Sequence, residues 1–400
     1  MKHINADMLQ FGRQPSVIRD IFEYGIRRKK EIGEDRVFDF SLGNPSIPVP
    51  EKVDRTIIDL IETEDSVVLH GYTSGNGDAE VRRKIAENIK DRYGFDAEAK
   101  DVYMTCGAAA SLAVSLRAII ASEDEEVIVV APFFPEYKVF AENAGARVVV
   151  VPADEKEFQI DFDAFAAALN EKTKAVIINS PNNPTGVILT PENAAELCRL
   201  LKDAEGRYGH PIYLLADEPY RALVYDSDTK VTYLPLLYDD TLVCYSFSKA
   251  MSLPGDRIGY ILVSGHMQDH DDVYAAVCGA GRAMGYVCAP AMMQRVIAKC
   301  LDDVGDIEIY RTNRDLLYNN LTRLGFSCVH PDGAFYLFVK SPEPDAGKFM
   351  MAARKYELLL VPSDSFGCTG YIRIAYCVST DMIRRSIPQF EKLAKEYGLC

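Results

Sequence analysis

The sequence predicts an α/β protein, in which a large domain with a mostly parallel central sheet flanked by helices is joined to a smaller α+β domain. Three observations predict it. Continuous apolar runs alternate with helix-like segments from Val127 onward, the pattern of a parallel sheet covered on both faces. Clusters of polar and small residues fall at or after strand ends, where open α/β sheets bind ligands. After Ala289 the alternation gives way to a long helical stretch and separate β-like runs.

The runs read as strands are Val127–Val130, Val148–Val151, Ala175–Ile178, Ile212–Ala216 and Thr241–Cys244. Crossover helices are expected between them. Thr190-Pro191-Glu192-Asn193 shows one starting, with an N-cap hydroxyl, proline at the first helical position and an acid in the first turn. Further on, β-like runs are expected at Ala334–Val339 and Gly370–Ala375, with a last helix near Thr380–Tyr397. A length of 400 residues suits one large domain and one smaller one, and no internal repeat is visible.

A formal charge of -15 argues against binding nucleic acid or an anionic membrane surface, since both need a basic patch, and points to small-molecule partners. The opening Met1-Lys2-His3-Ile4-Asn5-Ala6-Asp7 is not the apolar stretch of a signal peptide, and no segment reaches membrane-spanning length. A cytoplasmic location is expected. The ten cysteines, from Cys106 to Cys400, are scattered singly without metal-ligand spacing, so they read as reduced core thiols, and no metal is expected.

Four clusters carry the chemistry. Asn179-Ser180-Pro181-Asn182-Asn183-Pro184-Thr185-Gly186 is a proline-fixed turn that leaves the Asn183 amide free to donate, or is only a turn. Asp217-Glu218-Pro219-Tyr220 puts a carboxylate at the inner end of a central strand, which requires a cation: a protonated pyridine nitrogen, a metal or a core arginine. Ser246-Phe247-Ser248-Lys249, with Arg257 eight residues on, suits a dianionic phosphate beside an amine kept deprotonated by cationic neighbours. Thr105-Cys106-Gly107-Ala108-Ala109-Ala110 opens a helix with small residues, whose free N–H groups suit phosphate.

In this order the clusters resemble the aspartate/aromatic aminotransferase family, the class I/II aminotransferases of fold type I, which use pyridoxal 5'-phosphate. The resemblance runs from Ser41-Leu42-Gly43-Asn44-Pro45 to Tyr371-Ile372-Arg373-Ile374-Ala375. It implies that Lys249 holds the cofactor as a Schiff base and moves the substrate proton, and that Asp217 keeps the pyridine nitrogen protonated. Asn183 and Tyr220 are implied as partners of the ring's phenolic oxygen, and Phe134 as the ring stacked on its face, with its neighbour Phe133 as the alternative.

Arg257, Ser246, Ser248, Gly107 and the amides of Ala108 and Ala109 are implied to hold the phosphate. Tyr72 is implied to reach the phosphate of the other subunit, hence a homodimer. Arg373 is implied to grip the substrate α-carboxylate, with Gly43 and Asn183 beside it. The sequence departs from some relatives in carrying Ala108 and Ala109 where they place a hydroxyl, and in stacking Phe rather than Trp. The implied division is 1–50 as an N-terminal arm and part of the small domain, 51–288 as the cofactor-binding domain and 289–400 as the small domain.

The implied activity is a ping-pong transamination between an L-amino acid and a 2-oxo acid, of aspartate or aromatic type. A carbon–sulfur β-lyase of the same fold shares the first proton removal, and a non-catalytic interaction protein of this fold is a third reading. Gly279-Ala280-Gly281-Arg282-Ala283-Met284-Gly285 loosely imitates a dinucleotide-binding loop but lacks a preceding strand and the right spacing, so NAD is not expected. Arg282 reads as a solvated helix arginine.

Overall fold

The computed structural model describes residues 4–13 and 16–399. Cys400 and the opening Met1–His3 lie outside the described residues. A short strand β1 (Phe38–Asp39) precedes the main sheet, formed by β2 (Val102–Thr105), β3 (Glu126–Val130), β4 (Arg147–Val151), β5 (Thr173–Asn179), β6 (Tyr213–Asp217), β7 (Thr241–Ser246) and β8 (Gly259–Val263). These seven strands lie in the order β2-β8-β7-β6-β5-β3-β4. Only β8 runs against its neighbours, so the sheet is mostly parallel, as expected.

Apolar runs become strands here because both faces of the sheet are covered. In β5, Val176 and Ile178 enter one core while Ala175 and Ile177 enter the core on the opposite face. Helices Ala108–Ile119, Glu136–Ala144, Phe162–Ala168 and Pro191–Tyr208 connect successive strands from β2 to β6. Thr190 caps the last of these through a bond from the Asn193 N–H at 3.1 Å, and Gly209 ends it in the left-handed conformation.

β2 and β8 were not among the expected strands. Val102–Thr105 has only four residues, and Gly259–Val263 follows directly on the loop containing Lys249 and Arg257. The long helical stretch expected after Ala289 is two helices, Ala291–Cys300 and Glu308–Arg323, separated by a turn with three aspartates and one glycine. The imitation glycine motif lies in the helix His270–Ala283 and the turn after it. There Gly281 leaves room for the Tyr103 ring, which a side chain would strike.

A separate antiparallel sheet is built from β9 (Tyr336–Lys340), followed in sequence by β10 (Leu358–Leu359), β11 (Val361–Pro362) and β12 (Tyr371–Ala375). It has the order β11-β12-β9, while β10 pairs with β1. Phe38 and Phe40 share a core with Leu317, Tyr336, Ile374 and Phe390, so residues from both ends of the chain are packed together. This carries the segment after β1, Phe40–Gly43, across to the edge of the main sheet. Among the described residues, no helix is long and apolar enough to cross a membrane and no group of metal-ligating side chains occurs.

Candidate active site

Parallel strands deliver their C-terminal ends to one edge of a sheet. Because β8 runs opposite to β7 and to β2, β2 points the same way as β7. Thr105, Asn179, Asp217 and Ser246 are therefore the last residues of strands that finish along one edge. Asn179, Asp217 and Ser246 border a cavity of about 280 Å³, which is also lined by Ala108, Ala109, Phe134, Asn183, Tyr220, Ser248, Lys249, Arg257, Gly43 and Arg373.

Asp217 lies at the floor of the cavity, only 4% exposed. Its Oδ2 accepts a hydrogen bond from the Tyr137 hydroxyl at 2.5 Å, while its Oδ1 is buried without a partner. Burial pushes its pKa up to about 7 against the opposing hydrogen bond from Tyr137, with Glu218 adding to the rise. A buried carboxylate oxygen without a donor is a place for a cationic N–H.

Lys249 is half-buried, with its amine turned into the cavity. Its Nζ donates to the Gly43 carbonyl at 2.6 Å. Burial pulls its pKa down to about 8, with Arg373 and Arg257 acting in the same direction against Cys377. An amine held there is a far larger fraction neutral near pH 7 to 8 than an ordinary lysine, and a neutral amine can act as nucleophile or base.

Arg373 comes from β12 and is 2% exposed. One Nη donates to Asn183 Oδ1 at 3.0 Å and the other to the Ser41 carbonyl at 2.6 Å, while its Nε is buried without a partner. The guanidinium sits over the rings of Tyr336, at 4.7 Å, and Phe366, at 5.2 Å. With Asn183 Oδ1 committed to Arg373, the Asn183 amide nitrogen is the group left for a ligand. Asn179 fixes this turn: its side chain donates to the Asp217 carbonyl at 2.8 Å and accepts from the Asn183 N–H at 2.7 Å.

The opposite end of the cavity is rich in donors. Ala108 and Ala109 open the helix Ala108–Ile119, whose first N–H groups have no partner within the helix. Ser246 Oγ and Ser248 Oγ are 2.8 Å apart, and an Arg257 Nη lies 3.5 Å from Ser248 Oγ. Arg257 adopts a left-handed backbone conformation, φ 53°, which costs about 1–2 kcal/mol for a residue with a side chain. Gly107 does not line the cavity but allows this grouping, because a Cβ there would lie 2.9 Å from an Arg257 Nη.

Phe134 lines the cavity, whereas Phe133 is buried in the core behind it and packs against Gly367. Tyr72 stands apart from the cavity, 96% exposed. Three residues at the site carried no expected role: Tyr137, Asn179 and Tyr336. Asn179 belongs to the quoted turn, but Tyr137 acts on a carboxylate 80 positions away and Tyr336 on a tyrosine 116 positions away, and no local pattern announces either bond.

The parts fit the expected cofactor. An unpartnered carboxylate oxygen suits its ring nitrogen, Phe134 can cover the ring, Tyr220 and Asn183 offer donors, and an arginine, two hydroxyls and a helix start suit its phosphate. Burial pushes the Tyr220 pKa well above its ordinary value, which keeps the hydroxyl protonated as a donor.

Comparison with known proteins points the same way. A family model described as aminotransferase class I and II matches residues 35–389. The chain is 30% identical over 363 residues to an aspartate aminotransferase of Thermotoga maritima, with 90% of this chain and 91% of that one covered. It is 27% identical over 397 residues to aromatic-amino-acid aminotransferase 2 of Thermococcus litoralis, with 96% and 97% covered. The solved structure of an aminotransferase from Eubacterium rectale matches with a TM-score of 0.97 at 51% identity, covering 99% of this chain and 100% of that one.

Proposed function

The chain belongs to the class I and II aminotransferases, the pyridoxal-phosphate-dependent enzymes of fold type I, and on that premise we propose how its own residues run the transfer. The observation that carries the proposal is the meeting, in one cavity, of an unpartnered Asp217 oxygen, an amine of lowered proton affinity on Lys249 and the Arg373 guanidinium.

When bound, pyridoxal phosphate supplies a carbonyl that takes up the amino group and a protonated ring that withdraws electrons from the α-carbon. Asp217 Oδ1, unpartnered in the cavity, would accept from the ring N–H and hold that proton in place, while Tyr137 fixes the carboxylate. Tyr220 and the Asn183 amide would donate to the phenolic oxygen. Arg257, Ser246, Ser248 and the N–H groups of Ala108 and Ala109 would hold the phosphate, and Phe134 would cover the ring.

Arg373 binds the α-carboxylate of the amino acid as a fork, which leaves the α-hydrogen near Lys249. Lys249 would take that proton from the α-carbon as a base and return it, as an acid, to the C4′ carbon of the cofactor, on the far side of the nitrogen being transferred. Gly43 supports the amine through its carbonyl. A second substrate, a 2-oxo acid, collects the amino group by the reverse steps. Substrates of aspartate or aromatic type follow from the relatives.

The proposal extends to the assembly. Exposed Tyr72, Val67, Val68 and Val287 support a homodimer in which Tyr72 completes the partner's phosphate site. The free cysteines among the described residues support a reducing, cytoplasmic setting. Residues 1–50 with 289–400 as the small domain and 51–288 as the cofactor-binding domain is the division we propose, supported by the pairing of β1 with β10.

The test adds single L-amino acids, without a 2-oxo acid, to the loaded protein. Loss of the visible absorbance band with one equivalent of 2-oxo acid released is expected. Repeated release of pyruvate and ammonia from cysteine conjugates would instead make it a β-lyase. A visible band persisting in Lys249→Ala would overturn the role of the lysine.

A further inference from the structure

Tyr336 touches each part of the recognition machinery and has no role in the reading above. It opens β9 opposite Ala375 of β12, while Arg373 stands opposite Phe338. Directly opposed residues share a sheet face, so Tyr336 and Arg373 are diagonal neighbours on one face. The ring of Tyr336 lies 4.7 Å from the Arg373 guanidinium carbon, with Phe366 supplying a second ring at 5.2 Å. A guanidinium held over aromatic faces keeps its orientation while its N–H edges stay free to bind.

The hydroxyl of the same side chain points elsewhere. It lies 2.8 Å from the Tyr220 hydroxyl, and the two rings meet edge to face at 5.6 Å. It also packs directly beneath Gly43, where a Cβ would lie 2.1 Å from the Tyr336 oxygen. Gly43 is the residue whose carbonyl accepts from Lys249. Tyr336 is 2% exposed, so its hydroxyl needs a protein partner, and Tyr220 is the one it has.

We propose that Tyr336 is a positioning residue with two separable duties: its ring orients Arg373 for the substrate carboxylate, and its hydroxyl donates to Tyr220. This rests on the transaminase reading, in which Tyr220 donates onward to the phenolic oxygen. A donor that is itself hydrogen-bonded as an acceptor is polarised and donates more strongly. Tyr220 so strengthened stabilises negative charge on the phenolic oxygen. That lowers the proton affinity of the linkage between cofactor and lysine, which is read as the pH midpoint of the visible band.

Two substitutions separate the duties. Tyr336→Phe keeps the ring and removes the hydroxyl. The visible-band midpoint of the loaded enzyme should rise by roughly 0.3–1 pH unit, while KM for the amino acid changes by less than about threefold. Tyr336→Leu removes both groups, so the midpoint should rise similarly and KM should increase by about tenfold. Thermal melting of each loaded variant checks its folding, and if Tyr336→Leu does not fold the Tyr336→Phe result decides alone.

An unmoved midpoint in a folded Tyr336→Phe enzyme overturns the proposal, and so does a KM that rises as much in Tyr336→Phe as in Tyr336→Leu. The wild-type half-reaction run alongside keeps the two readings apart. Absence of 2-oxo acid release from wild type defeats the transaminase reading, whereas normal release with an unmoved variant midpoint defeats only the role of Tyr336.

Discussion

The Tyr137 hydroxyl binds one oxygen of Asp217 at 2.5 Å, and the other oxygen of that carboxylate is buried and unpartnered. The tyrosine thus decides which oxygen remains for the cofactor. Tyr137→Phe removes a hydrogen bond to a group that is charged when the cofactor is bound, an interaction worth about 1.5–3 kcal/mol. The dissociation constant for pyridoxal phosphate should rise by roughly 10- to 100-fold, measured by equilibrium titration of the stripped protein. Unchanged affinity would separate Tyr137 from cofactor binding.

Asp217 also gives the cofactor-free protein a pH-dependent stability. Its pKa is raised from 3.8 to about 7, chiefly by burial, so the folded state keeps a proton that the unfolded chain releases. Its contribution is fully present below about pH 4 and is lost as pH rises through about 7. The loss is on the order of 4 kcal/mol at most. Denaturant melts from pH 4 to 8 should show wild type falling relative to Asp217→Asn, with the gap closing once cofactor is bound. Parallel curves would contradict this.

Lys249 titrates in the opposite sense. The amine must be neutral to add to a carbonyl, and burial brings its pKa down to about 8. The rate at which pyridoxal phosphate restores the visible band to stripped protein should climb with pH and level off above about 8. A rate still climbing near pH 10, as for an ordinary lysine, would show that Lys249 is not desolvated in solution.

Arg373→Lys keeps the charge but loses the fork. KM for the amino acid should rise by about 100-fold, with a smaller fall in kcat, because a point charge cannot bond Asn183, Ser41 and a carboxylate together. Steady-state kinetics decides it, and an unchanged KM would remove Arg373 from carboxylate recognition.

Tyr72 is 96% exposed, so within its own chain Tyr72→Ala should change stability by no more than about 0.5 kcal/mol. In the dimer it should weaken cofactor binding by roughly tenfold through the partner's phosphate site. Sedimentation together with cofactor titration tests both halves. A monomeric protein, or a dimer with unaltered affinity, would refute the assignment.

Legibility in the sequence followed locality. Strands β3 to β7 were readable because burial on both faces makes them continuous apolar runs. The residues at their ends were readable because the polar clusters interrupt those runs. Strand β8 was not expected at all, and its reversed direction is not readable in any case, since an apolar strand looks alike whichever way it runs. Within the site, Lys249, Asp217 and Arg257 were marked by their neighbours in sequence, whereas the choice of Phe134 over Phe133 rested on the family resemblance, and Phe134 is the one of the two that lines the cavity. Tyr137 and Tyr336 were hidden because a buried tyrosine in an apolar stretch is ordinary, and only the distant partner of its hydroxyl distinguishes it.

The bond from Arg373 to the Ser41 carbonyl joins positions 332 residues apart, whereas Gly107, Asn183, Asp217, Lys249 and Arg257 all belong to the central stretch of the chain. During synthesis the groups proposed to receive the cofactor are therefore complete before the arginine has been made. Contacts this distant in sequence close slowly, because the entropy of a very long loop must first be overcome. A newly made chain thus passes through an interval in which the residues proposed for the cofactor exist and the proposed carboxylate clamp does not.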